Sequence, residues 1–487
     1  MQNVHNVNFA KRKDIICVTI CIEEKYQIYL IMTWELLMGE LTKNTILHTT
    51  EGEEIKVVPF SSKKFEIGSG GQGIVYKVLF RDNEYALKWY FDGSDEKFYN
   101  NLKHNVENGS PADTFLWPIA ITEVDENNCF GYVMRLRTPE YKEFKDILSA
   151  KEQFSDFSAI VNAALQICAS FKQLHSSGFS YQDMNDGNCF INTTTGDVLI
   201  CDNDNVAPNR QNLGILGTAG YMAPEIVNPD MDIRPDKYSD RFSLSVLLFR
   251  MLFKNHPLEG NLVDPDDPSG ENMNDILWRK PIFIFDPKDS SNRPNVAIHG
   301  IAAKKWPIYP PFIHDAFIKA FDKSVMNCNG VGREDRPFET DWCKEFTHLR
   351  NSITVCPKCK KETFFPMKNQ SGVCMRCKEQ IHRPSVLVLT KDTSKTIPLY
   401  KGSKIYIYEI DEMHGDFTIE NIKHVVGEVV ENKKQPGLYG IKNLSDFPWY
   451  RHTPGGRDET IEPGDGVVIA KDNIIKFGTF SEWMIQE

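Results

Sequence analysis

Two Cys-x-x-Cys knuckles, Cys356-Pro357-Lys358-Cys359 and Cys374-Met375-Arg376-Cys377, stand fourteen residues apart and constrain this chain more than any other feature. That spacing lets two tight turns face each other and brings four thiolates around a tetrahedral Zn²⁺. The segment 353–382 is too short to bury a core of its own, so the metal takes the core's place. Four thiolates saturate the ion, which makes the expected site a structural one with no open position for chemistry. The knuckles also divide a chain of 487 residues into a long part before them and a shorter part after, more than one hydrophobic core serves.

Twelve cysteines are too few for a disulfide scaffold, and their paired spacing is that of metal ligands, so an intracellular, cytoplasmic setting is expected. A hydrophobic share of 41% and a charged share of 25% describe a folded, soluble chain. The net charge of -11 gives no overall pull toward nucleic acid or anionic lipid. Lys358, Lys360, Lys361, Lys368, Arg376 and Lys378 are read as solvated side chains around the metal, so nucleic acid is not expected as a partner. The apolar run Ile15 to Ile22 ends at Glu23, Glu24 and Lys25, well short of the ~20 residues a membrane span needs. Clear pattern begins only near Leu47, and residues 1–44 read as an accessory extension or an upstream start-site artefact, with Met32 and Met38 as alternative starts.

From Ile46 to about Met134, short β-branched runs alternate with turns, interrupted by a helical pattern through Phe98, Leu102 and Val106. From Tyr141 to Leu252 the signals are mainly helical: Ile160, Ala164, Ile167 and Phe171 form one stripe, and Phe242 to Leu252 is a strongly apolar helix. Leu262 to Pro311 is rich in Pro, Asp and Asn, as an irregular insertion would be, before a helix at Ile313 to Phe321.

Chemistry is concentrated in four places. Ile67-Gly68-Ser69-Gly70-Gly71-Gln72-Gly73-Ile74-Val75 is a GxGxxGxV run, in which missing side chains let backbone amides approach phosphates. Ala86-Leu87-Lys88 follows at the distance of the next strand and supplies a cation. Asp183 and Asn188 keep the spacing DxxxxN, and the apolar strand Val198-Leu199-Ile200-Cys201 ends in Asp202. Gly217-Thr218-Ala219-Gly220-Tyr221-Met222-Ala223-Pro224-Glu225 follows, and Asp240 opens the apolar helix.

In order and spacing, these residues resemble the eukaryotic-like protein kinase domain over about 46–350, and the layout is similar to bacterial serine/threonine kinases associated with tellurite resistance and stress. The resemblance implies a bilobal fold, N-lobe 45–135 and C-lobe 136–352, with ATP and Mg²⁺ as cofactors and protein hydroxyls as acceptors. It assigns Lys88 to the α- and β-phosphates, Asp183 to the acceptor hydroxyl, and Asn188 and Asp202 to Mg²⁺. Ile67, Gly68, Gly70, Gly73, Val75, Ala86 and Lys88 would line the nucleotide, with Glu107, or alternatively Glu96, holding the lysine. Glu225 would pair with Arg336, a structural contact.

Three departures from the family pattern stand out. The HRD triplet is Tyr181-Gln182-Asp183, the DFG triplet is Asp202-Asn203-Asp204, and the lysine two positions after the catalytic aspartate is Asn185. None removes the base or a metal ligand. They leave a second expectation open, a nucleotide-binding pseudokinase that scaffolds a complex through its C-terminal modules.

Beyond Pro384 the texture is all β, over Ser385 to Leu389, Ile405 to Tyr408, Val425 to Val430, Gly437 to Leu444 and Val467 to Phe477. A β-sandwich is expected over 384–487, which makes the whole a multidomain α+β chain. The ending Ile461-Glu462-Pro463-Gly464-Asp465-Gly466 with Ile474 to Gly478 resembles forkhead-associated domains, and Asn421-Ile422-Lys423-His424 is similar to their SxxH segment. That resemblance implies recruitment of a phosphoprotein or complex partner.

Overall fold

The computed structural model describes residues 40–487 except 71–72, 91–95, 216, 229, 265–272, 274, 297, 367–371 and 412–414. Before residue 40 it describes three strands, β1 (Val7–Arg12), β2 (Ile15–Ile22) and β3 (Tyr26–Thr33), paired antiparallel in that order. The chain divides into two compact units, Met1–Ser110 with Leu116–Thr138, and Pro111–Phe115 with Pro139–Glu487. Among the described residues no helix is long and apolar enough to cross a membrane.

The first unit is built on β4 (Ile46–His48), β5 (Glu54–Val58), β6 (Glu66–Ser69), β7 (Gly73–Phe80), β8 (Asn83–Tyr90), β9 (Ala120–Ile121) and β10 (Phe130–Arg135). Their order is β4-β5-β7-β8-β10-β9, with β6 paired to β7. Alternation sets the two faces: Ile74, Tyr76, Val78 and Phe80 of β7 join Leu87 and Trp89 of β8 in one core. The helix α1 (Glu96–Asn108) matches the stripe through Phe98, Leu102 and Val106, and Leu102 is fully buried.

The second unit opens with a three-stranded sheet, β11 (Tyr141–Glu143), β13 (Cys189–Asn192) and β14 (Val198–Ile200), in the order β11-β13-β14. A two-stranded ribbon joins β12 (Phe179–Ser180) to β15 (Ala207–Pro208). Its long helices are α2 (Phe157–Ser176), α3 (Lys237–Phe253), α4 (Pro311–Ala320) and α5 (Glu339–Arg350). Helix α3 begins where Asp236 accepts from the Tyr238 and Ser239 amides while Ser239 bonds back to the Asp236 amide, a reciprocal cap. All but three of its residues are buried, the mainly apolar stretch Phe242–Phe253 except Arg250, together with Ser239, Asp240 and Arg241.

Two hairpins follow, β16 (Ile353–Val355) with β17 (Glu362–Phe364) and β18 (Gly372–Val373) with β19 (Gln380–Ile381). The C-terminal strands are β20 (Val386–Leu389), β21 (Thr396–Pro398), β22 (Lys404–Tyr406), β23 (Val425–Glu431), β24 (Tyr439–Asn443), β25 (Trp449–His452), β26 (Asp458–Ile461), β27 (Gly466–Val468), β28 (Ile474–Phe477) and β29 (Glu482–Gln486). They make two antiparallel sheets, β21-β20-β29-β28-β25-β26 and β22-β23-β24-β27. Leu387, Trp449, Phe477 and Trp483 from the first meet Ile405, Val426, Ile441 and Val467 from the second in one core, the expected sandwich.

Two strands differ from the sequence reading. The run Ile405 to Tyr408 leaves the sheet at a bulge between Ile405 and Tyr406 and becomes a helical turn, Ile407–Ile410, with the Glu409 carboxylate reaching back to accept from the Tyr406 amide at 3.0 Å. The run Val467 to Phe477 is two strands in different sheets, because Asp472 adopts φ +63° and turns the chain across the sandwich.

Candidate active site and candidate metal centre

In the first unit, strand register puts the nucleotide-site candidates on one face. Val75 pairs with Lys88 and Lys88 with Tyr132, so these side chains project to the same side, joined by Ala86 two residues before Lys88. This is the face opposite the core residues Tyr76, Leu87 and Trp89. Lys88 is buried, with Nζ 5.5 Å from the centre of the Tyr90 ring.

The glycines of the loop do different work. A Cβ on Gly73 would meet the Trp89 carbonyl oxygen at 2.2 Å, so that glycine lets β7 and β8 approach. Cβ atoms on Gly68 and Gly70 would meet nothing within 4 Å, which leaves open backbone on the hairpin where a phosphate group can approach. Ile67 is half-buried on β6, and Gly71 and Gln72 lie outside the described residues. Glu107 and Glu96 are both exposed on α1, while Asn101 and Asn105 occupy its buried side.

In the second unit the catalytic-loop residues converge. The Asp183 carboxylate accepts from Thr218 Oγ1 at 2.7 Å, and its backbone carbonyl accepts from Asn188 Nδ2 at 3.0 Å and Asn185 Nδ2 at 3.2 Å. Asn185 Nδ2 also donates to Thr218 Oγ1 at 3.0 Å, so the residue that replaces the family's lysine braces the loop instead. Cys189 pairs with Ile200, and the Cys201 amide donates to the Asn188 carbonyl at 3.0 Å. That register seats Asn188 beside the strand end at Asp202. With Nδ2 spent on Asp183, Asn188 offers Oδ1 to a cation.

Asp202 has φ +53°, a left-handed turn that ends β14 and opens the 3₁₀ turn Asn203–Asn205. Asn203, standing where the family places phenylalanine, is fully buried and donates to the Ile200 carbonyl at 3.0 Å.

A polar network beneath the loop is where sequence reasoning fell short. Asp240 accepts from the amides of Tyr181 at 2.7 Å and Gln182 at 3.0 Å, and His175 bridges Asp240 at 3.0 Å to Glu339 at 2.8 Å. Arg241 completes it through Nε on Glu339 at 2.9 Å. Burial disfavours the charged imidazole, but the two carboxylates outweigh it and raise His175 to about 9. Burial likewise opposes the charged Glu339, which His175 and Arg241 nevertheless hold down at about 2. Only Asp240 was visible as a structural candidate; His175 and Glu339 lie too far apart in sequence for spacing to link them.

Gln182, at φ +72°, donates through Nε2 to the Gln211 carbonyl at 2.7 Å and accepts from Asn212 Nδ2 at 2.9 Å. Glu225 and Arg336 form the expected pair, two parallel bonds of 2.7 and 2.8 Å with both side chains buried.

The four cysteines Cys356, Cys359, Cys374 and Cys377 meet with all sulfurs within 4.8 Å of one another. The Cys356–Cys377 and Cys359–Cys374 separations are 3.6 and 3.7 Å. A tetrahedron of ~2.3 Å Zn–S bonds has edges of about 3.8 Å, so the set fits Zn²⁺. Both knuckles use one backbone design: Lys360 donates to the Cys356 carbonyl at 3.0 Å and Lys378 to that of Cys374 at 2.8 Å, each lysine at φ near +60°.

Residues 61–293 match the family described as protein kinase domain. Similar proteins include protein kinase C zeta type of Oryctolagus cuniculus, 26% identical over 236 residues, 45% of this chain and 37% of that one. The probable serine/threonine-protein kinase PknB of Corynebacterium glutamicum is 23% identical over 40% of this chain and 31% of its own. The probable serine/threonine-protein kinase zyg-1 of Caenorhabditis briggsae is 30% identical over 39% of this chain and 27% of its own. The chain thus spans 27 to 37% of the length of these relatives. Residues 61–293 form a protein kinase domain homologous to those of serine/threonine kinases.

Proposed function

We propose that this chain is an ATP- and Mg²⁺-dependent serine/threonine protein kinase of the bacterial, tellurite-resistance and stress-associated type, acting in the cytoplasm on protein hydroxyls. One arrangement carries the reading: the Asp183 carboxylate is held by Thr218 at 2.7 Å, in a loop whose Asn188 lies beside the strand end at Asp202. Asp183 orients the acceptor hydroxyl and receives its proton; Asn188 and Asp202 would hold Mg²⁺. Lys88 neutralises the α- and β-phosphates, Gly68, Gly70 and Gly73 form the phosphate hairpin, and Ile67, Val75 and Ala86 would border the base. The bound nucleotide supplies the γ-phosphoryl group, and the chain's own work is positioning and charge neutralisation. Incubation with labelled ATP, Mg²⁺ and cell lysate should give transfer that Asp183→Asn and Asp202→Ala each abolish; undiminished transfer in either variant overturns the assignment.

One observation favours the scaffold reading: Glu107 and Glu96 are exposed, and the buried side of α1 carries Asn101, Leu102 and Asn105. Nucleotide binding without transfer in the unmodified chain would select it. The cysteine cluster holds structural Zn²⁺ in either reading. The sandwich is a candidate for binding a phosphoprotein or complex partner, supported by its forkhead-associated-like final strands. Deleting 385–487 with no change in the complexes recovered from cells would remove that role.

A further inference from the structure

The segment Asn421–His424, which the forkhead-associated resemblance marks for recognition, is occupied. Its first three residues close a short helix, α6 (Ile419–Lys423), whose Ile419 and Ile422 are buried, and His424 caps it. The Ile419 amide donates to Gln173 Oε1 on α2 at 2.8 Å, and Asp416 pairs with Lys172. At the other end of α6, Lys423 Nζ lies 2.8 Å from Asp197 Oδ1.

These two grips border the segments that carry the proposed chemistry. Lys172 and Gln173 stand within one turn of His175, which reaches Asp240 at 3.0 Å, and Asp240 in turn holds the amides of Tyr181 and Gln182 just before Asp183. Asp197 ends the turn that leads into β14 and so toward Asp202. Gln166 Nε2 donates to Asp197 Oδ1 at 3.2 Å, and Gln166 Oε1 accepts from the Val198 amide at 3.3 Å, tying the turn to α2 as well.

We propose that the sandwich domain is a built-in positioning element for phosphoryl transfer, gripping α2 at Lys172–Gln173 and the β13–β14 turn at Asp197 so that the loops bearing Asp183 and Asp202 hold one geometry. A third contact fixes the domain independently of these two. The Arg350 guanidinium, half-buried at the end of α5, bonds the Tyr408 hydroxyl, reaches Glu409 Oε1 at 3.3 Å and lies 4.0 Å over the Tyr406 ring. Because Arg350 and Glu409, at 10% and 3% side-chain exposure, are more enclosed than Asp416, Lys423 and Asp197, at 55%, 45% and 34%, loosening α6 shifts the loops while the Arg350 contacts still hold the domain. Lys172, Gln173, Asp197 and Lys423 are positioning residues; none is assigned to substrate.

This inference rests on the kinase reading only in its activity arm. The test uses the full chain as Lys172→Glu, Asp416→Lys, the double charge swap, and Lys423→Glu. Hydrogen exchange over residues 181–202 should quicken in each single variant and return toward the unmodified rate in the swap. In parallel, kcat should fall about three- to tenfold in the singles, with KM for the protein acceptor unchanged, and recover in the swap. Unchanged exchange in the single variants, or a swap that recovers neither readout, overturns the proposal. Absence of transfer in the unmodified chain counts against the kinase reading, and the exchange arm then decides this proposal alone.

Discussion

Thr218 donates its hydroxyl hydrogen to Oδ1 of Asp183 at 2.7 Å while accepting from Asn185 Nδ2 at 3.0 Å, so one side chain fixes both the proposed base and the residue standing in for the family's lysine. The expected consequence is specific. Thr218→Ala removes the brace while leaving the loop backbone held by Asp240, so kcat should fall about tenfold or more with KM for ATP little changed. Thr218→Ser keeps the hydroxyl and should keep most of the rate. Steady-state kinetics of the two variants decide it, and equal loss in both would mean the methyl group, not the hydrogen bond, matters.

The pair Glu225–Arg336 is a fork-to-fork contact with 0% and 1% side-chain exposure, and Arg333 approaches Glu225 at 3.6 Å. Arg336→Ala would leave a buried carboxylate short of its partner, costing about 3–5 kcal/mol. Arg336→Lys cannot make the two parallel bonds and should recover only part of that loss. Denaturant titration of both variants measures it; a loss below about 1 kcal/mol for the alanine variant would contradict the assigned role.

His175 and Glu339 predict a window of pH stability with two different edges. A histidine raised from 6.5 to about 9 contributes stability that is fully present below 6.5 and is lost as pH rises toward 9. A glutamate lowered from 4.5 to about 2 contributes stability present above 4.5 and lost as pH falls toward 2. The shared contact is therefore strongest between about 4.5 and 6.5. Melting temperatures across pH should show an alkaline decline between 6.5 and 9 that His175→Gln lacks; an identical decline in the variant would place its origin elsewhere.

The cysteine cluster should bind about one zinc per chain, with roughly 10 kcal/mol or more of local folding free energy tied to it. The consequence reaches beyond the ribbon. Glu362 on β17 accepts from the Ser158 amide at 2.8 Å and its hydroxyl at 2.6 Å at the start of α2, and Phe364 meets Phe157 at 4.8 Å between ring centres. Chelation, or Cys374→Ser, should quicken hydrogen exchange in the first turn of α2 as well as in 353–382. A ribbon that stays folded without metal would refute the structural role.

The kinase domain was legible because its signals are local and ordered: a glycine hairpin, a lysine on the next strand, two aspartates and an asparagine at fixed intervals. The knuckles were legible for the same reason, since Cys-x-x-Cys is a spacing rule. Contacts set only by tertiary folding were not. Nothing in the sequence ties Glu362 to Ser158, Lys423 to Asp197 or Arg350 to Tyr408, each pair separated by tens to hundreds of positions. The helical turn at Ile407–Ile410 was hidden by β-branched and aromatic residues that suit a strand, and a bulge overrode that preference.

The last expectation concerns how the activation segment is ordered. Many kinases carry an arginine before the catalytic aspartate, whose guanidinium meets a phosphate on that segment; here the position is Gln182. Its side chain already engages the segment, donating to the Gln211 carbonyl at 2.7 Å and accepting from Asn212 at 2.9 Å, while Asn212 donates onward to the Ile215 carbonyl at 2.6 Å. These are neutral bonds, so they order the segment without a phosphate and gain nothing from one. The segment is short, with twenty residues between Asp202 and Ala223, and its one formal positive charge, Arg210, is too little to form a phosphate-binding cluster. Activity is therefore expected not to require phosphorylation of the segment. Phosphatase-treated enzyme should phosphorylate an added substrate at its initial rate with no lag, and Gln182→Ala should slow transfer more than phosphatase does. A lag that pre-incubation with ATP removes would show that a phosphate, not Gln182, orders the segment.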